Sequence, residues 1–379
     1  MNIKEIGEIR RHIRRDRSNI THLYGCYVNE NREIISEFRQ SVGLMSENEG
    51  EKYFGILRRT LSGKIGKNLI DISFKTSQVA DSDEHRLLME LRQSCLQNEE
   101  CRIAFYHKVI ESVSLNENYL ILLGCDSYDV PFKSKEDVTQ SDRSDETFTF
   151  LLCAVCPVKQ TKPTLRYIAE EKLFHDGGIT NVVNAPELGF LFPAFDGRST
   201  NIYNALYYTH SPKLCHEEFV DAIFHVEIPK PAYEQKKTFE SLLGTALEEE
   251  CSMDVVQSVH DQLRQRIELH KESRDPDTLM VTKDDVTDVL ASCGISEPRV
   301  AKFSVDFDSA FGFESDLYPN NIIDEKRFEV KTPDVSIKVA PDRTDLIETR
   351  IIGGVKYILI CADESVEVNG VNITISDHT

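Results

Sequence analysis

The apolar positions change period several times along the chain, and each change predicts an element. Ile3, Ile6, Ile9 and Ile13 recur every three or four residues, the spacing of an amphipathic helix whose other face carries Arg10, Arg11, Arg14, Arg15 and Arg17. Residues 20–28 and 33–42 read as a β-hairpin around the polar turn Asn29-Glu30-Asn31-Arg32. Ser46 and Glu49 have capping-box spacing, so a helix starts there, runs to about Leu61 and ends at Gly63. A strand over 68–74 follows, then helices over 82–94 and 98–113, the second marked by Cys101, Phe105, Val109 and Val113.

The densest apolar runs, 119–130 and 147–158, predict strands, and the polar residues 134–146 between them an exposed loop. Further strands are expected over 166–174 and 182–192. Ser211-Pro212 has the form of a cap and first turn, with Cys215, Phe219, Ala222 and Ile223 as the buried face of the helix. The run Ile228-Pro229-Lys230-Pro231 marks a domain boundary, after which the pattern is helical. Phe239, Leu242, Leu243, Ala246 and Leu247 line one helix; Val256, Val259, Leu263 and Ile267 line another capped at Ser252; Ser292-Cys293-Gly294 joins helices over 284–291 and 298–310. Alternation returns at Phe328, Val330, Val335, Ile337 and Val339, and Gly353-Gly354 and Asn369-Gly370 turn two hairpins. The expected fold is α+β: a mixed α/β N-terminal domain over 1–228, a helical region over 229–315 and a small antiparallel β domain over 316–379.

Composition narrows the class. Among 379 residues, 40% are apolar and 28% charged, the balance of a globular chain large enough for more than one core. No apolar run approaches the ~20 residues of a membrane span, and the basic start lacks the apolar centre of a signal peptide, so a cytoplasmic protein is expected. The ten cysteines stand singly, most in apolar surroundings (Cys26, Cys125, Cys153, Cys251, Cys361), and read as reduced core thiols rather than a disulfide framework. A net charge of -20 repels polyanions at long range and leaves nucleic-acid binding to a local basic patch.

Familiar chemistries are mostly excluded. Ser62-Gly63-Lys64-Ile65-Gly66-Lys67 lacks the first glycine of a phosphate loop, because Leu61 stands there. His216-Glu217-Glu218-Phe219-Val220 puts Val220 where a zinc-protease helix needs its second histidine. Cys153 and Cys156 have metal or redox spacing, but on a strand they point to opposite faces. Glu329-Val330-Lys331 has the ending of a nuclease site without a preceding aspartate on a neighbouring strand. The helix over 297–310 has the outline of a recognition helix but offers acids beside Arg299 and Lys302. No dinucleotide fingerprint and no nucleophile elbow is present. The expectation is therefore no cofactor and no metal.

Two places remain. In APELGFLFPAFDGRSTNIYNALYYT, 185–209, the ring-rich half reads first as core and Asp196-Gly197-Arg198 as a turn; the functional alternative makes Asp196, Arg198, Asn201 and Tyr203 a binding patch. The first helix offers Arg10, Arg11, Arg14 and Arg15 as a basic patch for phosphates or an acidic protein.

The strings ITHLYGCYVNEN, NLIDISF, NYLILLGCDSYDVP, APELGFLFPAFDGR, NIYNALYYT and FEVKTPDVSIKV resemble the domain-of-unknown-function family numbered 4317 over essentially the whole chain. The resemblance implies a bacterial intracellular protein and carries no mechanism. The layout alone, an α/β front, helices and a short β tail in an acidic chain, is similar to the YejK-type nucleoid-associated proteins, with no shared motif. The leading expectation is a non-enzymatic interaction protein, with a protein partner or with nucleic acid or nucleoid proteins, no membrane, and a two-fold homodimer as the default assembly. The alternative is an enzyme with an acidic and aromatic cleft formed by Asp126, Asp129, Asp196 and Arg198.

Overall fold

The structure, a computed structural model, describes residues 1–133, 139–228, 230–273, 275, 277–312, 316–362 and 366–374, without the side chains of 132–146. The fold is α+β. By their internal contacts the residues group into two compact units, Met1–Tyr233 with 276–278, and Glu234–Asp275 with Leu279–Thr379.

The first unit runs α1 (Ile3–His12), β1 (His22–Val28), β2 (Ile34–Ser41), α2 (Glu47–Arg59), β3 (Leu69–Ser73), α3 (Thr76–Asp81), α4 (Asp83–Gln93), α5 (Glu99–Ser112), β4 (Tyr119–Lys133) and β5 (Thr139–Gln160). It continues with β6 (Leu165–Ile168), β7 (Leu173–Asp176), β8 (Asn181–Val183), β9 (Leu188–Phe192), β10 (Ala194–Asp196), β11 (Ser199–Asn201), β12 (Asn204–Thr209) and α6 (Glu217–Phe224). Its sheet has the order β2-β1-β4-β5-β9-β12-β3, antiparallel throughout, with β8 pairing the far end of β5.

The central strands read as unbroken apolar runs because both their faces are covered. Ile121 and Leu123 of β4, Leu151, Cys153 and Val155 of β5, and Phe190 of β9 pack under α4, α5 and α6. Leu120, Leu122, Leu152, Ala154, Cys156 and Leu191 face the other way, against Ile6, Ile9 and Ile13 of the first helix and its exit and Phe54 and Leu57 of α2. Cys153 and Cys156 thus lie in opposite cores, as the two-residue period of a strand requires. Ile3 is left 71% exposed, so α1 seats on Ile6 and Ile9, with Ile13 buried just past its end. Ser46 caps α2 by accepting from the Glu49 N–H, whereas the Glu49 carboxylate accepts from Gln40 instead of closing the box.

Several sequence-based boundaries are corrected. The strand expected from 147 begins at Thr139, so most of the polar stretch extends the β4–β5 ladder, and 134–138 lie outside the described residues. The strand expected over 166–174 is a tight hairpin, β6–β7, and that over 182–192 is β8 and β9, two strands separated by residues 184–187, where the Asn184 and Glu187 N–H groups still donate to the Pro157 and Val155 carbonyls of β5. The helix expected from Ser211-Pro212 starts at Glu217, because His216 takes a left-handed conformation (φ 47°) and the Thr209 hydroxyl ties down the Ser211 and Leu214 carbonyls before it. Phe219 and Ile223 are buried as expected.

In the second unit α7 (Ala232–Leu247, of which all but the first two residues belong to this unit), α8 (Met253–Ser273), α9 (Lys283–Ser292) and α10 (Glu297–Phe311) share a core of Phe239, Leu263, Leu290, Phe303 and Phe307. On α8 it is Val255 that points inward, whereas Val256 is exposed. After the short α11 (Pro319–Ile322) come three hairpins: β13 (Phe328–Lys331) with β14 (Ser336–Val339), β15 (Ile347–Ile352) with β16 (Val355–Ile360), and β17 (Val366–Val368) with β18 (Val371–Ile373). Gly353 and Gly354 turn the second, and Asn369 and Gly370 the third, all at positive φ as a two-residue hairpin demands.

Candidate functional site

The first helix is fixed before it offers anything to a ligand. Asn2 and Glu5 close a capping box at its start, and Ile6 and Ile9 hold it on the sheet. At its exit Asp126 is 1% exposed, with its carboxylate accepting from the Ser18 hydroxyl at 2.7 Å and from the Asn19 and Ser127 N–H groups, both at 2.8 Å. His12 Nε2 lies 3.3 Å from the same carboxylate. Asp126 thus locks the α1–β1 connection to β4.

The candidate patch in 185–209 divides. Gly197 and Arg198 take the two positive-φ positions of the β10–β11 turn. From there the Arg198 guanidinium grips Glu8 of α1 at 2.5 and 2.7 Å and donates to the Pro131 carbonyl at 2.8 Å. Tyr128 also donates to Glu8, at 2.8 Å. Asp196, by contrast, accepts from the Asn201 amide at 3.2 Å, and Asn201 accepts from the Tyr203 N–H at 3.0 Å. Asp196, Asn201 and Tyr203 therefore stay together at the surface while Arg198 turns toward the helix. The rings before them, Phe190, Phe192 and Phe195, are core. Asp129 is exposed and accepts from Thr147 at 2.8 Å, apart from the enclosed Asp126 carboxylate.

The arginines also sort by side. Arg15 turns inward, donating to the Met45 carbonyl at 2.9 Å and lying against Gly50. Arg10, Arg11 and Arg14 stay exposed and, with Arg58 and Arg59 of α2, line an open cleft of about 490 Å³ floored by Gly55. Arg14 pairs with Asp16 at 3.1 Å and Arg58 with Glu51 at 3.4 Å, whereas Arg10 and Arg11 have no carboxylate partner among the described residues. The α2 half of this cleft went unrecognised in the sequence. Arg58-Arg59 was legible as a basic last turn, but its nearness to Arg10 depends on two helices lying side by side.

On the opposite flank of α2, sharing Gly55 and Arg59, runs an apolar trough of about 740 Å³ lined by Tyr53, Ile56, Val182, Val183 and Pro186. The β6–β7 arm, which precedes the β8 residues of this trough, exposes Leu165, Tyr167, Leu173 and Phe174 by 52–72% each, and Ile179 between β7 and β8 is 61% exposed. Glu170 and Glu171 sit at the turn of the arm.

Elsewhere, Glu329 has its carboxylate taken by Lys331 at 3.0 Å, Ser336 at 2.9 Å and Lys338 at 3.7 Å, and these contacts hold its pKa below the ordinary value. Asp308 pairs with Lys283 at 2.7 Å. Among the described residues no group of three or more histidine, cysteine, aspartate or glutamate side chains is placed to hold a metal ion, and no helix is long and apolar enough to cross a membrane.

No curated protein and no solved structure matched the chain. A family model described as a domain of unknown function, DUF4317, matches residues 1–371, and the chain belongs to that family.

Proposed function

We propose that this protein is a binding protein that holds nucleic acid by its phosphate backbone, in the cleft between α1 and α2. The observation that carries this reading is the convergence of Arg10, Arg11, Arg14, Arg58 and Arg59 on one groove, with Arg10 and Arg11 uncompensated among the described residues. Arginine forks match phosphate oxygens, and a groove of this kind positions a backbone without reading bases. The enclosure of Asp126 and the capture of Arg198 by Glu8 favour binding over the cleft chemistry that those residues would otherwise support.

With a net charge of -20 opposing approach, binding is weak and steeply salt-dependent, with Kd on the order of 10⁻⁶ to 10⁻⁴ M near physiological salt. The test is fluorescence anisotropy with single- and double-stranded oligonucleotides of mixed sequence across a salt series. Replacing Arg10, Arg11 and Arg14 with Ala should lower the log K against log salt slope by roughly 2 to 3. Equal binding by that variant and the natural chain would remove the reading.

A second reading, a two-fold dimer, is favoured by the β6–β7 arm. A two-stranded hairpin with both faces in water is marginal alone, and four large apolar side chains on one short arm mark a contact surface. The trough beside α2 matches it in character, and its lining residues Lys52 and Arg59 are opposite in charge to Glu170 at the arm's turn, where Glu171 is taken by His175 at 2.7 Å. A second copy of this chain, exchanging arms with the first, satisfies both surfaces at once. Sedimentation velocity should then give twice the 43.3 kDa of one chain, reverting to one chain with Leu165→Ser and Phe174→Ser. A chain that sediments as a monomer up to about 100 µM, above the micromolar range of stable association, would exclude it.

A further inference from the structure

Cys95 and Cys125 are brought together by a turn whose geometry has no role in either reading above. Helix α4 ends at Gln93 with Ser94 as its cap, and the next two residues, Cys95 (φ 44°) and Leu96 (φ 62°), both adopt the left-handed conformation that side chains ordinarily avoid. The turn sends Leu96 inward to 1% exposure, with its N–H on the Leu91 carbonyl at 2.8 Å, and leaves Cys95 at the surface. From beneath, Cys125 of β4, 9% exposed, donates its S–H to the Cys95 sulfur at 2.8 Å. That is closer than two non-bonded sulfurs normally sit and less than 1 Å beyond the ~2.05 Å of a disulfide bond. Arg92 stands over the pair, held by its Nε–H on the Thr149 carbonyl at 2.7 Å.

We propose that Cys95 and Cys125 form a hydroperoxide-reactive dithiol, with Cys95 the attacking sulfur and Cys125 the resolving one. The Cys95 thiolate attacks one oxygen of a hydroperoxide, the O–O bond breaks, and the other oxygen leaves with a proton as water or an alcohol. Cys95 is then a sulfenic acid. The Cys125 sulfur attacks it, the S–O bond breaks, and water departs with the Cys125 proton. Two thiols have lost two electrons and two protons, and the hydroperoxide has been reduced to an alcohol (or water) and water. A thiol reductant reverses the bond by exchange.

The surroundings separate Cys95 from the thiols buried in the sheet, Cys26, Cys153 and Cys156. The hydrogen bond from Cys125, with help from the Arg92 charge, brings the Cys95 thiol down to about 7. Burial pushes Cys26 and Cys156 up to about 12 and raises Cys153 well above the ordinary value. Cys125 is itself raised, by its bond to Cys95 and by burial, and so stays a protonated donor. An exposed, acidified thiol beside a protonated second thiol is the arrangement found in peroxide-sensing cysteines.

The test uses the whole natural chain. It is treated near pH 7 with a few equivalents of hydrogen peroxide, blocked with N-ethylmaleimide, and mapped by peptide mass spectrometry. The expected product is a Cys95–Cys125 linked peptide, two hydrogens lighter than the reduced pair and restored by dithiothreitol. In Cys125→Ser the Cys95 sulfenic acid should accumulate and be captured by dimedone; in Cys95→Ser, Cys125 should resist oxidation at the same dose. Alkylation of Cys95 and Cys125 to the same extent with and without peroxide would overturn the proposal. Oxidation of Cys125 in Cys95→Ser as fast as in the natural chain would overturn the assignment of roles.

Discussion

Arg198 and Glu8 lie 190 residues apart and meet in an ion pair in which Nη1 reaches both carboxylate oxygens, at 2.5 and 2.7 Å. The contact pins α1 to the β10–β11 turn, with Tyr128 completing the carboxylate. Both side chains are less than a quarter exposed, so solvent screens the pair only in part. Arg198→Ala should cost roughly 1.5–3 kcal/mol of stability. A double-mutant cycle with Glu8→Ala should return a coupling of about 1–2 kcal/mol, read by urea denaturation. Additive single effects would show that the two groups act separately.

The two aspartates of β4 should part company in the same assay. Asp126→Ala strands the Ser18 hydroxyl and two backbone N–H groups in a closed site, at a cost of roughly 3 kcal/mol. Asp129→Ala gives up one exposed bond to Thr147 and should stay within about 0.5 kcal/mol. Similar losses at both positions would place Asp129 in a role its surroundings do not suggest.

Gly189 sits in β9 where the sheet is covered on both sides. A Cβ there would stand 2.3 Å from the Cys153 carbonyl oxygen and 2.7 Å from Cγ2 of the buried Thr60. The first clash is with the backbone of the central strand, which cannot yield as a flexible side chain would. Gly189→Ala should therefore cost about 3 kcal/mol or more, at the top of the overpacking range. Normal expression and an unchanged denaturation midpoint would mean that β5 moves.

That glycine shows how far the sequence could be read. A glycine inside Leu188-Gly189-Phe190 signals close backbone approach, but not whose backbone. Helices with a local cap and a periodic face, such as α2 from Ser46 and α5 from Asn98, were legible because their determinants lie within one turn. The strands were legible wherever apolar residues ran unbroken. The start of α6 was not, since Ser211-Pro212 carries the right residues and the left-handed His216 overrides them. The arginine cleft was half legible: α1 declares its basic face, whereas Arg58 and Arg59 join it only through packing. The Cys95–Cys125 approach, across 30 positions of sequence, leaves no periodic mark, and neither does the Glu8–Arg198 pair.

His216 ties acid stability to one turn. It is left-handed at φ 47°, partly buried, with Nε2 3.7 Å from Glu187. Burial lowers its pKa below the ordinary 6.5, and the nearby Glu187 charge offsets only part of that. The unfolded chain therefore takes up the proton before the folded one. This residue leaves stability unaffected well above pH 6.5 and subtracts from it as the pH falls below that value. Asparagine accepts the left-handed conformation and does not titrate. His216→Asn should thus flatten the loss of stability between about pH 7 and 5 while leaving the value near pH 8 almost unchanged, as read from urea midpoints. Parallel pH profiles for the two chains would assign the acid sensitivity to other groups.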